Sequence, residues 1–437
     1  MAQWRHWTVV GALSLAASCL PGAAWAASEV DILLDKLVEK GVLSNVEAGL
    51  IRREIAETKE TRNKELAKEI VPDAARNWKW SGDIRLRDEV RSRQIGTDGA
   101  TANADSHRVR IRFRYGVEAK VNDRLKVKAR LATGSTTDPT STNQSFDTFF
   151  AKKTIVLDLA NLVYTPEVPG ISKVELVGGM MEGPLWTVTP MVWDGDLSWD
   201  GFAAKVTQQL GESATLFANN GVFLLDTDES EPASLWVTQG GVVLTPFTDA
   251  EGEFAKHLKL TGALAYHDYR NTANSAKAGT DPLTREADNT SAAKDFNQLN
   301  PSLELASMVG GVPVAFFGDW VRNVSASSAG NDGYAVGVKV GKATTPWSLK
   351  NGWEAGYLFE RLEPDAAFDE FVDSDFGGGG TNRLGNVAWV TLATLKNSTF
   401  GAKCFFKQDQ VDNTGSGASL VRAFREDRIQ LDWVTKF

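Results

Sequence analysis

Polar and apolar residues alternate along most of the chain, and the alternation is sharpest from His107 to Val121. Successive side chains of a strand point to opposite faces. Val109, Ile111, Phe113, Tyr115, Val117, Ala119 and Val121 therefore share one face, and Arg108, Arg110, Arg112, Arg114, Glu118 and Lys120 share the other. Strands of soluble domains are typically about 5 or 6 residues long, well short of this stretch. A strand that crosses a membrane takes about 9 to 11 tilted residues, with apolar side chains toward lipid and polar ones toward a wet lumen. The stretch fits the membrane strand.

From residue 73 onward the period of two persists to the C-terminus and predicts sixteen strands, beginning with Trp78 to Arg91, His107 to Val121 and Arg124 to Thr133 and ending with Glu426 to Phe437. The connections alternate between long and short. Ser92 to Ser106, Gly134 to Lys153, Met180 to Leu197 and Arg361 to Arg383 are long, whereas Asn122-Asp123 and Gly310-Gly311 are tight. Long loops on one side and short turns on the other mark an up-and-down transmembrane β-barrel. The expected fold class is therefore all-β, an antiparallel transmembrane barrel with a short N-terminal helical segment. After the N-terminus no apolar run approaches the ~18 residues of a membrane helix. A closed barrel is the other structure that satisfies every backbone polar group in lipid.

Three regions follow. Residues 1–26 carry an early basic start at Arg5 and His6, an apolar centre and the small-x-small end Ala24-Trp25-Ala26, the pattern of a secretory signal peptide. Residues 27–72 turn to a helical period: Leu33, Leu34, Leu37 and Val38 fall on one face, Gly41 stops the helix, and Ser44 with Glu47 makes a capping box for a second helix. This segment is expected in the periplasm, with a coiled coil possible but weakly encoded. Residues 73–437 form the barrel. With cleavage after Ala26 the mature chain retains only Cys404, so it holds no internal disulfide.

The last strand alternates Ile429, Leu431, Trp433, Thr435 and Phe437 with Arg428, Gln430, Asp432, Val434 and Lys436 and stops on an aromatic ring. This ending resembles the signal read by the barrel-assembly machinery of outer membranes, and Trp78, Trp80, Trp433 and Phe437 are the expected interface and assembly residues. The segments Trp78 to Arg87, Arg130 to Ser135 with Asp138-Pro139 and Ser141 to Gln144, and Trp193 to Leu197 resemble the putative-porin family of Gram-negative outer membranes. The resemblance spans the mature chain. It implies a general or weakly selective diffusion channel in contact with outer-membrane lipids and lipopolysaccharide, assembled as a homotrimer. By analogy with general porins, the third long loop, with Glu182, Trp186, Trp193, Asp194 and Asp196, folds inward and sets the constriction.

The formal net charge of -9 excludes a general nucleic-acid binder, whose affinity rests on basic surface. No metalloprotease, hydrolase, phosphate-loop or haem motif occurs, so neither an enzyme nor a cofactor or metal site is expected. Acidic runs at Asp226 to Glu231 and Glu363 to Asp375 read as solvated outer loops.

The positive feature is a basic face. Arg85, Arg87 and Arg91 on the first strand, Arg108, Arg110, Arg112, Arg114 and Lys120 on the second, and Arg124, Lys126, Lys128 and Arg130 on the third point inward. Against these twelve stand three acids, Asp83, Glu89 and Glu118. Adjacent strands lie about 4.8 Å apart, so the residues merge into one pore-lining wall that would favour anions among the small hydrophilic solutes passing it. Asp432, Glu354, Glu360 and the third loop are candidates to neutralise it. Two other readings stay open: sugar uptake through stacking on Trp186, Trp193 and Trp199, and a structural or partner-holding barrel with a filled lumen, such as an electron-transfer sheath or adhesion platform.

Overall fold

The computed structural model describes residues 29–54, 77–97, 100–227, 232–272, 296–326, 330–411 and 424–437. The signal peptide, the later part of the helical segment, and the acidic residues Asp228, Glu229 and Glu231 lie outside them. The chain divides into two compact units, Met1–Arg76 and Asn77–Phe437.

In the first unit, helix α1 (Glu29–Glu39) is followed by a second helix, α2, from residue 45 to the last described residue, 54. The capping box forms. The Glu47 backbone N–H donates to Ser44 Oγ at 3.2 Å while Glu47 Oε2 accepts from the Ser44 N–H at 2.8 Å. Leu34 and Ala48 are buried, and Arg52 bonds to Asp35 at 2.5 Å.

The second unit is one antiparallel sheet closed on itself. Of its eighteen strands, Ala100–Asn103 and Gln144–Ser145 are short additions within loops. The remaining sixteen make the barrel, in order β1 (Trp78–Thr97), β2 (Ser106–Lys120), β3 (Leu125–Thr133), β4 (Ile155–Tyr164), β5 (Lys173–Glu182), β6 (Ser198–Leu210), β7 (Ala214–Asp226) and β8 (Ala233–Leu244). They continue as β9 (Lys259–Arg270), β10 (Asn297–Val309), β11 (Val312–Asn323), β12 (Asp332–Ala343), β13 (Gly352–Leu362), β14 (Arg383–Leu395), β15 (Ser398–Asp409) and β16 (Phe424–Lys436). Strand β1 pairs with both β2 and β16, which closes the ring.

Two sequence expectations shift. Strand β1 continues past Arg91 to Thr97, because the first loop is itself a hairpin in which Gln94 to Thr97 pairs with Ala100 to Asn103. Arg124 is not part of β3, which begins at Leu125. Asn122 Oδ1 accepts the N–H groups of both Arg124 and Leu125 at 2.9 Å, holding the chain in a turn.

Alternation sets the two faces. Ile84, Leu86 and Val90 on β1 and Val109 and Tyr115 on β2 are exposed on the outer, lipid-facing side, whereas Asp83, Arg87 and Glu89 are buried within. Closure brings the chain end back to the start. The Phe437 N–H donates to the Gly82 carbonyl at 3.0 Å and the Gly82 N–H to Phe437 O at 2.9 Å. A Cβ at Gly82 would stand 2.6 Å from both the Arg114 carbonyl and the Phe437 ring. Trp80 stacks on Tyr115, and Tyr115 on Phe437, forming an aromatic band at the short-turn end.

Candidate functional site

The barrel wall from β6 to β15 carries an inward apolar face, and the third loop (183–197) and seventh loop (363–382) bury their own apolar residues against it. Met191, Val192, Trp193, Ala366, Val372 and Phe376 all belong to this internal core. Trp193 lies 4.4 Å from Trp199 and stacks on Tyr269 and Phe371. Trp193 and Trp199 are each 7% exposed, so their ring faces are spent on packing. A sugar has no open tryptophan face at these two positions. Trp186 sits edge-on to Phe217, with its backbone N–H and carbonyl both bonded to Gln239 at 2.8 Å.

Polar bonds fix the loops in place. Thr189 Oγ1 donates to Asp319 at 2.8 Å, and Asn300 and Ser302 donate to the other oxygen of the same carboxylate. The Asp194 N–H donates to the Phe371 carbonyl at 2.7 Å, and Asp194 Oδ2 accepts from the Ser374 N–H at 2.8 Å, tying the third loop to the seventh. The second loop (134–154) joins them. Thr142 Oγ1 donates to Asp196 at 2.9 Å, and Ser374 Oγ donates to the Thr140 carbonyl at 3.0 Å. Three loops therefore act as one body inside the lumen.

Their acidic edge faces the basic strands. Cross-strand partners Arg85 and Arg112, Arg87 and Arg110, and Glu89 and Arg108 line the inner face of β1 and β2. Asp83 bridges Arg112 and Arg114 at 2.9 and 2.7 Å, with Asp196 of the third loop near both at 3.8 and 3.9 Å. Arg87 forks onto Asp432 of β16 at 2.7 and 2.8 Å and meets Asp375 of the seventh loop at 2.9 Å. Arg428 of β16 reaches Asp375 at 3.2 Å and Glu426 at 2.6 Å, and Arg91 stands 3.9 Å from Glu426. Arg108 pairs with Glu89. Arg130 pairs with Asp158 and, at 2.7 Å, with Glu182, which ends β5. Lys126 and Lys128 share Glu118 at 3.0 and 3.6 Å.

Two further basic residues, Lys120 and Arg124, lie lower. Lys120 bonds to Asp123 at 2.7 Å and Arg124 to Glu167 at 3.1 Å, both about half exposed. They mark the rim at the short-turn end, where the strands have ended, and not the wall beside the loops. The wall is thus largely matched by carboxylates, and among the described residues the wall arginines without one are Arg85 and Arg110. Arg85 Nη2 donates to Asn143 Oδ1 at 2.6 Å, and Arg110 Nη2 meets Ser141 Oγ at 3.4 Å.

Between wall and loops runs a polar cavity of about 350 Å³, bounded by Arg85, Arg112 and Arg114 on one side and by Asp194, Asp196 and Asp373 to Asp375 on the other. A second space of about 210 Å³ shares Arg114 and Asp194 and extends to Arg130 and Glu182. The loop acids differ in charge. Burial and the neighbouring Asp373 push the Asp194 carboxyl up to about 8. Burial likewise raises Asp373, partly offset by Lys403. Burial would raise Asp375 too, but Arg87 and Arg428 hold it well below the usual carboxylate range. Around neutral pH the acidic edge therefore carries less charge than its residue count indicates.

The structure corrects the expectation that the whole seventh loop is solvated. Asp365 is buried, and Asp375 sits among arginines that balance its charge. Asp432 neutralises the wall as anticipated, whereas Glu360, also inward, is buried beneath the loops away from the arginines. The contributions of Ser141, Asn143, Asp375 and Lys403 had no local sequence signal.

The family model described as putative porin matches residues 99–307 and 315–437. No curated protein matches the chain in sequence. Among solved structures, OprB of Pseudomonas putida at high pH is similar with a TM-score of 0.51 at 11% identity, covering 86% of this chain and 96% of its own. The outer-membrane channel DcaP of Acinetobacter baumannii and the Salmonella typhi OmpF complex with daunomycin each align at 11% identity over 82% of this chain and 97% of theirs, with TM-scores of 0.44. With the family match running through most of a closed sixteen-stranded barrel, the chain belongs to the putative-porin family.

Proposed function

We propose that the chain is an outer-membrane porin through which small hydrophilic solutes and ions diffuse passively, with a bias toward anions. The observation that carries this reading is the polar cavity left between the basic strands and the internal loops, lined by Arg85, Arg112 and Arg114. A water-filled passage walled by guanidinium groups raises the local concentration of anions and opposes cations. The bias is modest, because carboxylates pair with most of the wall. In this reading Arg85, Arg110, Arg112 and Arg114 govern permeation, and the third loop shares the constriction with the second and seventh. In this reading the short-turn end faces the periplasm, and residues 27–72 are periplasmic once residues 1–26 have been removed.

The internal core favours a pore narrowed by loops over a wide general channel. A lumen blocked by a partner would instead yield no conductance when the purified barrel is reconstituted. Conductance in planar bilayers tests the reading: ion-carrying steps support it, and a folded barrel that carries none overturns it.

We further propose assembly as a homotrimer. Strands β3 to β5 span 9 or 10 residues, against 11 or more for the others, so the wall is lowest there. The adjoining second loop presents Phe146, Phe149 and Phe150 to the outside, the last two fully exposed. A neighbouring copy would cover them. Native mass measurement in detergent tests this, with a monomer as the contrary result.

A further inference from the structure

We infer that Arg85, supported by Arg110, is a binding step for a monovalent organic anion, a small monocarboxylate, on the permeation path. The inference rests on the porin reading and adds a substrate class to it. Arg85, Arg112, Arg114 and Lys403 line the cavity with Asp194, Asp196, Asp373 and Asp375, and the carboxylates of Asp83 and Asp196 pair with Arg112 and Arg114. Arg87 and Arg428 are matched by Asp432, Asp375 and Glu426. Among the described residues no ion pair is formed by Arg85, whose Nη2 donates to the neutral amide oxygen of Asn143.

The Nε donors of both Arg85 and Arg110 are buried without an acceptor. An unsatisfied buried donor is unfavourable, and more so when charged. A carboxylate entering the cavity that Arg85 lines supplies the charged acceptor this guanidinium lacks, its two oxygens suited to a planar donor group. Arg87 holds a protein carboxylate in that way, through both oxygens of Asp432. Arg110 lies diagonal to Arg85 across the β1–β2 ladder and touches Ser141, to which Asn143 Nδ2 also donates at 3.4 Å. The two guanidiniums are therefore linked through one short segment of the second loop.

Charge selects the ligand. Arg85, facing a cavity that Asp196 and Asp375 also line, suits an anion of one charge, whereas a polyanion such as phosphate would meet stronger repulsion from both acids. Conduction requires a site that loads the ion and also releases it, which a single unpaired guanidinium beside acids suits.

Single-channel conductance in rising potassium acetate, with potassium chloride in parallel, tests the inference. For the wild type we expect acetate current to saturate. Arg85→Gln should raise the half-saturating concentration about tenfold, the size of a lost charge-assisted hydrogen bond, and Arg85→Gln with Arg110→Gln should remove saturation. Arg322→Gln, on the outward side of β11, should behave as wild type. Heat-modifiable migration on gels establishes that each variant is folded. Acetate current that rises linearly in a wild type that conducts chloride overturns this inference alone, as does saturation unchanged by the Arg85 and Arg110 replacements. A folded wild type that conducts neither salt overturns the porin reading and the inference with it.

Discussion

Arg87 of β1 and Asp375 of the seventh loop meet at 2.9 Å inside the barrel, although 288 residues separate them in the chain. The Arg87 side chain is 4% exposed and also grips Asp432, so this contact pins the loop to the wall. Breaking a buried pair from one side leaves an uncompensated charge and destabilises by about 3–5 kcal/mol. Asp375→Asn should therefore loosen the seventh loop and uncover Arg87 and Arg428. Bilayer recordings should show larger, noisier steps and a shift toward anions; an unchanged channel would mean that the loop is held elsewhere.

The raised Asp194 carboxyl gives the selectivity a pH dependence. Facing it are Asp373 and Asp375 from the seventh loop, Asp196 from its own, Arg112 and Arg114 across the cavity, and Lys403 from β15. Below about 8 Asp194 is largely neutral, and above it the carboxyl gains a negative charge opposite Arg85. Anion preference should thus fall as pH rises through this value. The same sign holds for loop docking: a folded-state pKa raised above the unfolded one contributes stability that is lost as pH rises through the folded value. Asp194→Asn should flatten both responses.

Trp193 tests the internal core. It packs between Trp199, Tyr269, Phe371 and His267, and truncating a buried Trp removes about 3–5 kcal/mol. Trp193→Ala should lower the thermal stability of the loop assembly and raise conductance while leaving sugars without effect on the current. Loss of a sugar block present in the wild type would instead restore the stacking reading.

Gly82 and Phe437 test closure. A methyl at residue 82 meets the Arg114 carbonyl and the Phe437 ring at 2.6 Å, and such overpacking is unfavourable by about 1–3 kcal/mol. Gly82→Ala should reduce the fraction of heat-modifiable, folded barrel on gels, and deletion of Phe437 should reduce it further.

The wall was legible in the sequence because a strand has a strict period. Once His107 to Val121 is read as alternating, Arg108 to Arg114 fall on one face, and their pairing with Arg85, Arg87 and Glu89 follows from adjacency. The turn before β3 is one residue longer than the Asn122-Asp123 that alternation indicates, since Asn122 bonds Arg124 into it. The loops carried no such period. Asp373 and Asp375 look like any solvated acids until the fold sets them beside Arg428 and Lys403. Nor did alternation reveal which arginines keep a carboxylate, because Asp196 and Asp375 arrive from loops whose paths depend on the internal apolar core.

The reversal potential across a potassium chloride gradient, recorded for the wild type and for Arg110→Ser with Arg112→Ser and Arg114→Ser, tests the central claim most directly. The account predicts a wild-type channel more permeable to chloride than to potassium and a shift toward potassium in the triple variant. A cation-selective wild type, or a reversal potential that the three replacements leave unmoved, would contradict it.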